Sequence, residues 1–253
     1  MIAKAEKEGL LHPGSTIIEA TAGNTGLGVA LAALNKGYQV IFTVPEKFSQ
    51  EKITLMRALG ATIVITPREL GMLGAAEKAK ELLANIPNSI SLEQFENQAN
   101  PQIHYETTAP EIYKALDGKI DYFVAGAGSG GTFSGIARYL KEQNPLIKTI
   151  LADPIGSTMG GGVAGAYKME GIGNDFIPAT MDMAFVDSVI KVSDEEAFAV
   201  TNLLAQKEGV IAGSSSGAAM TACLKLSRQV ETGNIVTLFP DRGERYFSKQ
   251  LYQ

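Results

Sequence analysis

From residue 15 onward, short apolar, β-branched runs alternate with longer segments of helical spacing. The runs T-I-I-E from Thr16, Q-V-I-F-T-V from Gln39, T-I-V-I-T from Thr62, D-Y-F-V-A from Asp121, K-T-I-L-A from Lys148 and N-I-V-T-L-F from Asn234 each predict a strand. Most are hydrophobic throughout rather than alternating, the pattern of strands covered on both faces. Helices predicted over 25–35, 50–59, 74–84, 132–141, 194–206 and 216–229 supply that cover, so the pattern specifies an open α/β fold with parallel strands. Ser193 followed by Asp194, Glu195 and Glu196 reads as an N-cap and an acidic first turn, not as a pair of catalytic carboxylates. Glycines from Gly160 to Gly165, then Gly171 and Gly173, mark one long irregular stretch of the kind that is either mobile or ligand-facing.

Composition narrows the function classes. A chain of 253 residues that is 45% hydrophobic can bury one large core or two smaller ones. Its formal net charge of −5, with no basic run, argues against a nucleic-acid partner and for a small-molecule ligand. Cys223 is the only cysteine, which excludes an intramolecular disulfide and predicts a reducing, cytoplasmic setting. His12 and His104 stand apart from any cysteine cluster, so no metal site is expected. No apolar stretch is long enough to span a bilayer, and the first residues are charged rather than signal-like, so no membrane partner is expected. Cys223 and Met220 read as core packing on the helix they share.

Candidate chemistry lies in glycine-rich turns between strands and helices. In T-A-G-N-T-G, Gly23 and Gly26 allow close backbone approach while Asn24 and Thr25 present an amide and a hydroxyl at the positive end of a helix. An anion would be welcome there, although a tight turn with a helix cap explains the same residues. The turn A-G-A-G-S-G-G-T-F-S-G carries Gly128, Ser129, Gly130, Gly131 and Thr132, whose unhindered N–H groups and hydroxyls suit a phosphate dianion. Close packing is the other use for so many glycines. This turn also satisfies G-x-G-x-x-G through Gly126, Gly128 and Gly131, with Asp153 ending the next strand, so an NAD-dependent oxidoreductase is an alternative. That alternative leaves the other turns unexplained. In A-G-S-S-S-G-A-A from Ala212, a buried hydroxyl would orient a ring nitrogen, and N-capping accounts for at least one serine.

Taken in order, these turns resemble those of the cysteine synthase and cystathionine β-synthase family, the fold-type II pyridoxal-phosphate (PLP) enzymes that perform β-replacement on serine derivatives. The resemblance extends to A-E-K-E-G-L-L-H-P-G, P-E-K-F-S-Q-E-K-I-T-L-M-R-A-L-G-A, Q-F-E-N-Q-A-N-P, E-G-I-G and F-P-D-R-G-E-R-Y, and so covers essentially the whole chain. P-E-K-F-S and S-K-Q-L-Y look closer to the bacterial O-acetylserine-dependent members that make cystathionine. The family implies two open three-layer α/β/α domains of the tryptophan synthase β-like kind: a smaller, mobile one over 14–95, and a larger one built from 1–13 and 96–253. It implies PLP, with Asn24 at the phenolic oxygen, Gly128, Ser129, Gly130, Gly131 and Thr132 around the phosphate, and Ser215 at the pyridine nitrogen. A hydroxyl at that nitrogen leaves the ring a moderate electron sink, suited to elimination and replacement at Cβ. Thr21, Ala22, Thr25 and Gln94 match positions that bind the substrate carboxylate, and Gly171 matches a loop lining the site. Many relatives have serine at Ala22; the backbone amide is retained. An amino-acid substrate, sulfide or a thiol such as homocysteine, and a homodimer are implied as well.

The family holds its cofactor through a Schiff-base lysine in an N-P-G-G-S-V-K-D-R-like segment that precedes A-E-K-E-G. No such segment occurs among these residues, and Lys4 and Lys7 read as solvated helix-face charges. No catalytic residue is therefore assigned. The lysine is expected upstream of Met1, in an N-terminally truncated fold whose missing strands would leave a sheet edge and apolar surface bare. The expected function is PLP-dependent β-replacement on O-acetylserine or serine, making cysteine or cystathionine. A non-catalytic protein that binds PLP or an amino acid is the alternative from the same resemblance.

Overall fold

All the predicted strands form in the computed structural model, which describes every residue except 22, 47, 250 and 253. The chain divides into two units, Met1–Gln94 and Phe95–Gln253, each with its own parallel sheet.

In the first unit the strands are β1 (Thr16–Ala20), β2 (Gln39–Pro45), β3 (Thr62–Thr66) and β4 (Ser89–Ile90), in the order β3-β2-β1-β4. The helices are α1 (Ile2–Lys7), α2 (Asn24–Ala33), α3 (Gln50–Ala58) and α4 (Gly71–Asn85). Side chains alternate across a strand, so Ile17, Val40, Phe42 and Val44 pack on one side with Leu27, Val29, Ile53 and Met56 of α2 and α3. On β2 the buried Thr43 donates its hydroxyl to the Ala75 carbonyl of α4 at 2.7 Å. The opening segment 1–13, expected with the larger domain, instead joins this core: Ile2, Ala5 and Leu11 are all buried within it. The apolar face of α1, Ile2 and Ala5, belongs to one cluster with Leu27, Ala30 and Ala33 of α2.

The second unit has β5 (Tyr122–Gly126), β6 (Lys148–Pro154), β7 (Ser188–Val192) and β8 (Ile235–Thr237), in the order β7-β6-β5-β8. Its helices are α5 (Ala99–Ile103), α6 (Ala109–Ala115), α7 (Gly131–Gln143), α8 (Asp194–Glu208) and α9 (Ser214–Ser227). Phe123, Ala125 and Leu151 face Phe133, Ile136, Ala137 and Leu140 of α7. Val124, Ile150, Ala152 and Val192 face Ala218, Ala222 and Cys223 of α9 on the other side. Burial raises the Cys223 thiol to about 11, as its core position requires. At the start of α8, Ser193 Oγ accepts from the Glu196 N–H, and the Glu196 carboxylate accepts from the Ser193 N–H, a reciprocal cap.

Three features of this unit escaped the hydrophobic pattern. Strand β7 lies beyond the glycine-rich stretch, in a segment given no element, and α5 and α6 were masked by Pro101 and Pro110. Both prolines fall within the first three positions of their helices, where an N–H has no intrahelical partner to lose. Between α5 and α6 the chain makes a π turn, His104–Thr108, closed by the Ala109 N–H donating to the His104 carbonyl.

Both sheets reverse their strand order at the strand that carries a glycine-rich turn, β1 in one and β5 in the other. In open α/β sheets the carboxyl end of that strand is where ligands bind.

Candidate functional site

The turn after β5 leaves the first N–H groups of α7 without a side-chain cap. Gly130 is the N-cap of α7, in the left-handed region at φ +83°, and it offers no side-chain cap. The first N–H groups of α7 therefore have no intrahelical acceptor and meet the positive end of the helix dipole. The carbonyls of the turn are tied back: Asn174 donates to the Gly128 oxygen at 2.6 Å and Thr180 Oγ1 to the Ser129 oxygen at 2.6 Å. Across a trans peptide the next N–H points the opposite way, so the amides of Ser129 and Gly130 are directed away from Asn174 and Thr180. Such a concave array of amides fits a phosphate.

Packing constrains the same glycines. A Cβ on Gly128 would come 2.4 Å from the Gly171 carbonyl, one on Gly130 2.4 Å from Met181 Cβ, and one on Gly131 2.1 Å from Asn100 Oδ1. Close packing thus requires glycine at these three positions. The E-G-I-G loop is the neighbour: the Gly173 N–H donates to the Ala127 carbonyl at 2.8 Å, and Gly171 has a positive φ of 89°. The structure brings the Gly171 carbonyl against Gly128 of this turn.

Side chains behind the turn were not singled out from sequence. Asn100 Nδ2 donates to Ser129 Oγ at 2.9 Å, and His104 Nε2 lies 3.0 Å from Thr132 Oγ1. Asn100 falls within the quoted Q-F-E-N-Q-A-N-P stretch, and only the fold shows that it and His104 reach α7.

The serine turn begins α9, with Ser214, Ser215 and Ser216 all buried. Its N-cap is Gly213, so none of the serines caps the helix, contrary to the capping expected for at least one of them. Ser214 Oγ instead accepts from the Glu170 N–H at 3.2 Å, linking this turn to the E-G-I-G loop. The D-R-G-E-R-Y segment braces the turn from outside. Arg242 pairs with Ala212 in an antiparallel bridge, and Tyr246 donates its hydroxyl to Asp241 at 2.5 Å. Burial, then the Asp241 charge, pushes the Tyr246 phenol well above its ordinary range.

In the first unit, Thr25 Oγ1 donates to Gln94 Oε1 at 2.6 Å, and the Gly23 N–H reaches Thr21 Oγ1 at 3.4 Å. Thr21, Thr25 and Gln94 therefore gather at the carboxyl end of β1, where Asn24 opens α2. Ala22 lies outside the described residues. The organiser here is Glu19, which sequence reading passed over. Its buried carboxylate accepts from Ser91 Oγ and from the Leu92 N–H, both at 2.9 Å.

Asp153, the acid of the dinucleotide alternative, is engaged by protein. It is 1% exposed, its Oδ2 pairs with Lys191 Nζ at 2.5 Å and accepts from the Gly160 N–H at 3.0 Å. A ribose hydroxyl would have to reach a carboxylate that is buried and already ion-paired. Among the described residues no cluster of three His, Cys, Asp or Glu could hold a metal ion, and no helix is long and apolar enough to cross a membrane.

Comparison with known proteins agrees with this geometry. The family model described as pyridoxal-phosphate dependent enzyme matches residues 1–241. The chain is 52% identical over its whole length to the O-acetylserine dependent cystathionine beta-synthase of Bacillus subtilis, covering 83% of that protein. It is 48% identical to the cysteine synthase of Helicobacter pylori, again along its whole length and 83% of the relative. The crystal structure of the O-acetylserine dependent cystathionine beta-synthase from Helicobacter pylori superposes with a TM-score of 0.95 at 48% identity, covering 100% of this chain and 83% of that one. The chain belongs to the family of pyridoxal-phosphate dependent enzymes and shares the fold of their fold-type II members.

Proposed function

We propose that this chain binds PLP with its phosphate on the turn 128–132 and serves β-replacement on O-acetylserine or serine, with sulfide or a thiol as second substrate. The products are then cysteine or cystathionine. The observation that carries this reading is the uncapped start of α7, with the Gly128 and Ser129 carbonyls held away from it. A phosphate dianion matches that donor set. Asn24 is assigned to the phenolic oxygen and Ser215, buried in the first turn of α9, to the pyridine nitrogen.

Bound PLP supplies an electron sink, which acidifies the α-proton of an amino acid and lets its Cβ substituent be exchanged. The chain's own contribution is placement. Thr21 offers a hydroxyl and Gln94 an amide N–H to the substrate carboxylate; Thr25 gives its proton to Gln94 Oε1 and so turns that amide, while Glu19 holds the adjoining segment through Ser91 and Leu92. The loop that carries Gly171 is tied to the phosphate turn by the Gly173 N–H, which donates to the Ala127 carbonyl. No lysine of residues 1–253 is assigned to proton transfer.

The test is to load the chain with PLP and offer O-acetylserine or serine with sulfide or homocysteine, scoring cysteine and cystathionine by mass. Product from any pairing supports the reading and identifies the substrates. Tight, saturable binding without product marks a non-catalytic ligand-binding protein instead. Borohydride reduction followed by peptide mapping shows whether any lysine of the chain bonds the cofactor.

A further inference from the structure

The imidazole of His104 stands between two hydroxyls. Its Nδ1 lies 3.0 Å from Thr108 Oγ1 and its Nε2 lies 3.0 Å from Thr132 Oγ1. Thr132 is the second residue of α7, in the turn that the proposed function assigns to phosphate. The π turn His104–Thr108 sets this arrangement. Its i→i+5 bond takes the His104 carbonyl for the Ala109 N–H, and the Thr108 hydroxyl is left facing the ring nitrogen of the same turn.

A neutral imidazole has one donor and one acceptor nitrogen, and a hydroxyl has a single proton to give. Burial lowers the His104 basicity, with no charged neighbour contributing, so the ring is neutral near pH 7. Two arrangements then follow. With the proton on Nδ1, Nε2 accepts and the Thr132 hydroxyl spends its proton on the ring. With the proton on Nε2, the ring donates to Thr132, whose own proton is free to point at an anion, while Thr108 donates to Nδ1. At the positive end of α7, where an anion is to be bound, the second arrangement adds a donor to the site and the first removes one.

We propose that His104 is a positioning residue for the phosphate site, held as the Nε2–H tautomer by Thr108 so that Thr132 donates its hydroxyl proton to the cofactor's phosphate. This rests on the proposed PLP role of the turn. His104 itself touches no ligand; it acts through Thr132. A hydrogen bond to a charged group is worth roughly a tenfold to hundredfold change in affinity. The loss of the His104 donor should therefore weaken PLP binding by about tenfold or more, and only where the Thr132 hydroxyl is present.

The experiment has two readouts on the 253-residue chain. With only His12 and His104 to resolve, ¹⁵N-histidine labelling reports each ring's tautomer by long-range correlation, and His12→Gln assigns the signals. The expected His104 spectrum is protonated Nε2 and unprotonated Nδ1; a protonated Nδ1 overturns the proposal. The second readout is the PLP dissociation constant in a double-mutant cycle. His104→Phe is expected to weaken binding about tenfold, His104→Gln, which keeps an N–H near the Nε2 position, to restore most of it, and His104→Phe to add little to Thr132→Val. Equal losses in both Thr132 backgrounds, or a glutamine variant no better than phenylalanine, mean that His104 serves packing alone and overturn the proposal. A wild-type chain without saturable PLP binding sinks the proposed function itself, and that outcome is distinct because no variant is needed to see it.

Discussion

Thr25 and Gln94 lie 69 positions apart, yet Thr25 Oγ1 donates to Gln94 Oε1 at 2.6 Å. That bond ties the start of α2 to the chain just beyond β4 and brings the proposed carboxylate-binding groups to one place. Replacing Gln94 by Ala removes the acceptor and a donor to substrate. The expected outcome is an affinity of the PLP-loaded chain for O-acetylserine lowered about tenfold, with PLP affinity unchanged. Spectral titration with each ligand checks both halves.

Glu19 holds the same neighbourhood from beneath. A glutamine there can put its carbonyl oxygen where Oε2 accepts from both Ser91 and Leu92, but its amide N–H then faces the Gln94 N–H, itself a donor. Glu19→Gln is therefore expected to cost about 1–3 kcal/mol of stability. Urea denaturation measures it, and a midpoint equal to wild type would show that Glu19 organises nothing.

Asp187 provides a pH dependence with a defined sign. Burial pulls its pKa up, but the Lys141 ammonium and the Thr149 N–H and hydroxyl outweigh burial and leave it below the ordinary value. A carboxylate depressed in the folded state contributes stability above its unfolded pKa and loses it as pH falls through the folded one. Stability should drop on acidification from about pH 4 downward, and Asp187→Asn should flatten that limb. Melting temperatures of both proteins across the acid range give the comparison.

The Asp153–Lys191 pair predicts an asymmetry. Asp153 is almost wholly buried while Lys191 is partly exposed, so Lys191→Met strands a buried carboxylate and should cost about 3 kcal/mol or more. The double variant Asp153→Leu with Lys191→Met should be less destabilised than Lys191→Met alone. Additive losses by denaturation would mean the pair is not coupled.

The local parts of this molecule were legible in the chain. Buried strands announced themselves as unbroken apolar runs, and the Ser193–Glu196 cap was visible as spacing alone, because both are short-range physics. What escaped was very short, as β4 is, interrupted by a charge, as β7 is at Lys191, or disguised by proline, as α5 and α6 are. Each glycine-rich turn was visible in the chain, but its supports were not. Glu19, Asn174 and Thr180 act on residues dozens of positions away, and His104 on Thr132, so no local pattern marks them. The first thirteen residues went to the wrong unit for a related reason: an apolar helix face shows that it is buried without showing against what.

The central claim is that the turn 128–132 receives the phosphate of PLP, and titration of the chain with PLP followed by its absorbance and fluorescence tests it most directly. Saturable binding at one site per chain is expected. Gly130→Ala should abolish most of it, because an alanine there meets both a positive φ and Met181. Inorganic phosphate should compete. No saturable binding by the wild-type chain, or binding that neither Gly130→Ala nor phosphate disturbs, would contradict the account.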